Sequence, residues 1–160
     1  MSNQNTIIMV HLFDSNIAEV RLTYSLKVKA SERPKISSSK DSYELMKQSW
    51  DKDTIELREQ MKVILLNNAH RLLGVFKVSE GGVTSTVADP KLIFAAAIKS
   101  NSSSIILCHN HPSGNIQPSN SDIKLTKRCK EIGELLELRL LDHLIITSES
   151  YYSFADEGMI

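Results

Sequence analysis

What the chain lacks narrows its class before any motif is read. Cysteine occurs twice, at Cys108 and Cys129, too little for the disulfide framework of a small secreted scaffold, so a reducing, cytoplasmic setting is the expected one. No apolar run approaches the roughly 20 residues that cross a bilayer, and no basic stretch leads into an apolar one near residue 1, so neither a membrane span nor a signal peptide is expected. Lysine plus arginine and aspartate plus glutamate number 19 each, for a formal net charge of zero, and no overall basic field exists to gather on a phosphate backbone. Aromatic residues are 6% of the chain, with no stripe of arginine or lysine beside them, so DNA association finds no support in composition. Internal repeats and low-complexity segments are also missing.

What is present suits one globular domain, because 160 residues at 41% hydrophobic supply a sizeable core and little for a second. From 20 to 30 the chain alternates, with Val20, Leu22, Tyr24, Leu26, Val28 and Ala30 on one face and Arg21, Thr23, Ser25, Lys27 and Lys29 on the other. That pattern predicts a half-buried edge strand within an N-terminal arm over 1–35, ahead of a domain over 36–160. Tyr43, Met46 and Trp50 at helical spacing predict a helix. The run from Glu59 to Val87 predicts three short strands turned at Asn67-Asn68 and at Glu80-Gly81-Gly82. Asp89 and Pro90 then open an Ala-rich helix, and "SSSIILCHNH" predicts a buried strand. A helix after Pro118 is expected to bury Ile123, Cys129, Ile132 and Leu136, and "RLLDHLIIT" to return as a strand. Hairpins followed by strand–helix–strand alternation predict a mixed sheet with helices packed on it, an α/β or layered α+β architecture.

The chemistry concentrates in "CHNHPSGNIQPSNSD", residues 108–122. On an extended strand His109 and His111 share one face while Cys108 and Asn110 share the other. Asp122, in the first turn of the next helix, can reach back toward the strand end, and two imidazoles with a carboxylate would leave a fourth tetrahedral position open on a zinc ion. Spacing alone leaves a second reading open, in which Ser119-x-x-Asp122 is a helix cap and the histidines are polar loop residues. Asn110 is expected to tie the loop to a neighbouring strand, Ser113 to satisfy the turn, and Thr126 to pack one turn beyond Asp122. His143 is expected to be structural, with a contact to a ligand as the alternative.

Other chemistries fit less well. The adjacent letters H-N-H are a coincidence, because the nuclease motif of that name spreads its residues over a hairpin and a helix. Cys108 faces away from His109, so a Cys-His nucleophile pair is not expected, and there is no Gly-x-Ser-x-Gly elbow. A zinc nucleobase deaminase would need His-x-Glu and a later Pro-Cys-x-x-Cys, and neither is present.

His109-x-His111, seven residues, Ser119, two residues and Asp122 is the spacing of the JAMM (MPN-plus) metalloprotease motif. Together with "HNHPSG", "PSNSD", "KLTKR", "LLDHLIIT" and "YYSFADEG", the chain resembles the RadC family from about Glu59 to Ile160. The resemblance implies a JAB/MPN-like domain, with a curved, cytidine-deaminase-like mixed sheet flanked by helices. It also implies Zn2+ held by His109, His111 and Asp122 in a metallopeptidase or isopeptidase-like hydrolase with a protein or peptide substrate. In the wider superfamily a glutamate on an early strand moves the proton of the attacking water and the motif serine hydrogen-bonds the oxyanion. By position these are Glu59 and Ser119, with Glu56 and Glu80 as competitors for the glutamate; Glu59 leads into a strand, whereas Glu80 sits in a Glu-Gly-Gly turn. Longer RadC proteins carry an N-terminal helix-hairpin-helix-like region for which this chain has no room, so the family's association with DNA repair and mobile elements is an alternative without support here. A metal-containing accessory module that cleaves nothing is the other alternative.

Overall fold

A computed structural model of the chain describes residues 24–25, 27–81 and 88–160. Its buried strands carry two alternating sets of side chains, and each set has its own helical layer. Strand β1 (Gln60–Leu66) and strand β3 (Ser104–Asn110) are buried along their whole length, as expected of strands covered on both faces. Met61, Val63 and Leu65 of β1 join Ile105 and Leu107 of β3 on one face, where helix α2 (Pro90–Lys99) contributes Ile93, Phe94 and Ala97, and helix α3 (Asn120–Leu135) contributes Cys129. Ile64, Leu66, Ile106 and Cys108 point the other way, onto Tyr43 and Met46 of helix α1 (Ser39–Ser49) and onto Trp50 and Ile55.

The described sheet has the order β2-β1-β3-β4-β5, with β2 at Leu72–Glu80, β4 at Arg139–Ile146 and β5 at Tyr151–Ser153. β3 and β4 are parallel and the other neighbours antiparallel, so α3 is the crossover that a parallel pair requires. The architecture is the expected α/β one, a mixed sheet flanked by helices in the JAB/MPN-like manner.

Local chemistry sets the element ends. Asp89 caps α2 by accepting from Lys91 N (2.9 Å), with Pro90 at the first helical position. Asn67 closes the β1–β2 turn by accepting from the amides of Ala69 and Arg71. At the end of α3 a Cβ on Gly133 would stand 2.3 Å from Leu138 O, so only glycine lets the chain turn that closely into β4.

Two expectations need amendment, and a third falls outside the described residues. Of the strand over 20–30, positions 20–23 and 26 lie outside the described residues, and none of the others is in a strand. Tyr24 and Val28 are exposed, and Ala30 opens a 3-10 turn. The carbonyls a ladder would use are satisfied locally, that of Val28 by Arg33 Nε (3.1 Å) and that of Lys29 by Glu32 N (3.0 Å). The third strand, expected after Gly82, falls on 82–87 and also lies outside the described residues. Helix α3 buries Asp122, Thr126, Cys129 and Gly133, whereas Ile123 and Leu136 are 37% and 44% exposed. Two polar residues occupy the inward face because they meet the site at the end of β3.

Candidate metal centre

The site forms where β3 stops being a strand. His109 pairs with Met61 on one side and Ile145 on the other, and its side chain is fully buried. His111 N still donates to Ile146 O (3.0 Å), which holds the next turn of chain extended. Gly114, at φ +78°, then reverses direction as only glycine does easily. His111 therefore shares a face with His109, and the two Nε2 atoms lie 3.0 Å apart.

Asp122 arrives through its helix cap. Ser119 Oγ accepts from Asp122 N (3.2 Å), while Asp122 Oδ2 accepts from Ser119 N (2.7 Å) and Ser119 Oγ (2.6 Å). The reciprocal capping box therefore fixes the carboxylate; the cap expected at Ser119-x-x-Asp122 is present, while His109 is a buried strand residue rather than a polar loop residue. So fixed, Oδ1 stands 3.3 Å from His109 Nε2 and Oδ2 stands 3.7 Å from His111 Nε2.

These separations fit a small cation. Bonds of about 2.0 Å at tetrahedral angles put ligand atoms about 3.3 Å apart, and the His109, His111 and Asp122 ligand atoms lie within 4.8 Å of one another. The hydrogens agree for His111: its Nδ1 is 2.6 Å from the carbonyl of Asn115, which only accepts, so Nδ1 carries the hydrogen and Nε2 presents a lone pair. Burial raises the pKa of Asp122, but the facing His109 and His111 imidazoles outweigh this and hold the carboxyl well below the usual range. The His111 pKa is raised, first because its protonated ring hydrogen-bonds Asp122, against the opposing effect of burial. A cluster that keeps its carboxylate ionised and draws a proton to its imidazole is one that attracts cations.

Glu59 lies one residue before β1 and is half-buried. The β1–β3 register pairs Met61 with His109, and Gln60 N donates to Asn110 Oδ1 (2.7 Å). Glu59 precedes that pairing, and its charge is among those raising the His111 pKa. Of the competitors, Glu80 is engaged away from the site with Lys77 and Arg58, whereas Glu56 accepts from the Ser148 hydroxyl (2.6 Å) and lines the groove beside His111. The solvent side of His111 opens on a groove of about 320 Å³ between the 112–114 turn and the loop over 147–150.

Two residues matter more than their sequence suggests. His143 Nε2 is 2.9 Å from His109 Nδ1, and its Nδ1 is 2.6 Å from Thr126 Oγ1. Burial, with the neighbouring His109, pushes the His143 pKa well below the ordinary imidazole value. Of the two roles left open for His143, the structure shows the contact to a candidate ligand, which follows from the non-local parallel pairing that sets His143 beside Leu107. Asn110, expected to tie the loop to a neighbouring strand, does so on the opposite face with three hydrogen bonds, accepting from Gln60 N of β1 and donating to the carbonyls of Ile55 and Arg58.

A mixed sheet with two histidines at a central strand end and an aspartate in the following helix cap defines a JAB-type domain. The chain belongs to the RadC-like JAB domain family, whose family model matches residues 36–159. It is 42% identical over 126 residues to a UPF0758 protein of Flavobacterium johnsoniae, covering 78% of this chain and 53% of that one. Over 103 residues it is 48% identical to a UPF0758 protein of Clostridium kluyveri, covering 64% and 45% of the two chains. A UPF0758 protein of Chlorobaculum parvum is 40% identical over 126 residues, or 79% of this chain and 55% of the relative. The chain thus spans about half the length of the curated relatives it matches, and the shared name UPF0758 assigns no reaction. Among the described residues no helix is long and apolar enough to cross a membrane.

Proposed function

We propose that the chain is a zinc-dependent hydrolase of the metallopeptidase or isopeptidase kind, acting on an amide bond of a protein or peptide. The observation that carries this reading is the convergence of His109 Nε2, His111 Nε2 and the Asp122 carboxylate within 4.8 Å. Zinc suits two imidazoles and one carboxylate, and when bound it supplies the Lewis acidity that makes water a competent nucleophile at neutral pH. Glu59 accepts the proton of the attacking water and passes it to the leaving amine. Ser119 turns its hydroxyl hydrogen from Asp122 to the developing oxyanion. The groove beside His111 receives the substrate backbone.

A metal-holding accessory module that cleaves nothing has one observation in its favour: the Ser119 hydrogen is already directed at Asp122 Oδ2 (2.6 Å). Glu59→Gln separates the two readings. In a panel of peptides and isopeptides, hydrolysis by the zinc-loaded protein is expected to fall at least about 100-fold in E59Q, with zinc content and melting temperature kept. A wild-type protein that takes up zinc and cleaves no member of the panel supports the accessory module.

A further inference from the structure

Three buried contacts connect His109 to the backbone of the helix that carries Asp122. His109 Nδ1 lies 2.9 Å from His143 Nε2, His143 Nδ1 lies 2.6 Å from Thr126 Oγ1, and Thr126 Oγ1 lies 2.7 Å from the main-chain oxygen of Asp122. His109 and His143 are 0% exposed and Thr126 is 3% exposed, so these groups must share out their own hydrogens.

The carbonyl at the far end has no hydrogen to give. Thr126 must therefore direct its single hydroxyl hydrogen at Asp122 O, and its oxygen accepts from His143, whose hydrogen sits on Nδ1. A neutral imidazole carries one such hydrogen, so His143 Nε2 is bare and accepts from His109 Nδ1–H. His109 Nε2 is left with its lone pair, at the atom 3.3 Å from Asp122 Oδ1 and 3.0 Å from His111 Nε2. Run the other way, the chain fails at its far end, where two oxygens would face each other at 2.7 Å with no hydrogen between them.

We propose that Thr126 and His143 are positioning residues that hold His109 as its Nδ1–H tautomer, so that its Nε2 lone pair faces the cluster before any cation arrives. This rests on the metal reading of that cluster. His111 reaches the same state by a shorter route, through the Asn115 carbonyl at 2.6 Å. Each ring is thus oriented by a main-chain oxygen, one directly and one through two side chains.

The test uses metal-free protein labelled with 15N in its histidines. Long-range proton–nitrogen spectra read the tautomers, and competition with a chelator then reads zinc affinity. Wild type is expected to carry hydrogen on Nδ1 of both His109 and His143. Thr126→Val keeps the shape and removes the acceptor; it is expected to move the His143 hydrogen to Nε2 and to weaken zinc binding roughly 10–100-fold, and Thr126→Ser is expected to restore both. Unchanged tautomers and zinc affinity in a less stable T126V would overturn the proposal. So would a wild-type spectrum with the His143 hydrogen on Nε2, a reading that stands even if T126V does not fold. The expected wild-type tautomers in a protein that takes up no zinc would overturn the metal reading and leave the relay standing.

Discussion

Asp122 does two things with one carboxylate, and both depend on its staying ionised. It closes the α3 capping box and it faces two imidazole nitrogens. His111 and His143 shift in opposite senses, which gives the metal-free protein a pH signature. His111 has its pKa raised from 6.5 by the hydrogen bond with Asp122, so the folded state binds the proton more tightly than the unfolded one. Its contribution is complete below pH 6.5 and is lost as pH rises through the folded value. His143 has its pKa lowered well below 6.5 by burial, so the unfolded state takes up the proton first, and stability is lost as pH falls from about 6.5 toward the folded value. Each limb has a limiting slope of about 1.4 kcal/mol per pH unit for one proton. Melting curves in a chelator are expected to show His111→Gln flattening the alkaline limb and His143→Gln the acid limb. Limbs that persist in both variants would mean that other groups govern the dependence.

At the scale of elements, what could be read from sequence was what is local. The Asp89-Pro90 helix start, the Asn67 turn and the Ser119-x-x-Asp122 cap are written within a few residues, and each stands where expected. The inward face of α3 was misplaced by the hydrophobic pattern, because Asp122 and Thr126 are buried by partners on β3 and β4 that helix periodicity does not see. Alternation over 20–30 records a capacity for pairing, and in its described part the chain turns instead. Asn110 is the sharpest case, a residue between two candidate ligands whose work is on the other face. Its amide holds Gln60 N and the carbonyls of Ile55 and Arg58, which fixes the segment carrying Glu59 against the end of β3. Asn110→Ala leaves buried groups bare at about 1–3 kcal/mol each. Chemical denaturation is expected to show a loss of about 3 kcal/mol, and a loss below about 0.5 kcal/mol would show that water replaces the amide.

At the scale of the molecule, the sheet is a platform with one chemically distinct edge. Helices cover both faces with apolar side chains, and the polar groups gather where β3 ends and α3 begins. The three candidate ligands were legible because one lies near the end of a strand, the second just past that end, and the third in a recognisable cap, whereas the contacts behind them depend on strand order. A cation bound only by the folded chain adds stability by mass action, about 2.7 kcal/mol at a hundred times its dissociation constant. The most direct measurement of the central claim is therefore the zinc content of the purified protein, beside its His109→Ala and Asp122→Ala variants. One zinc per chain in the wild type, lost in both variants together with its thermal stabilisation, is the predicted result. Stoichiometric metal that neither substitution disturbs would place it elsewhere and contradict the assignment.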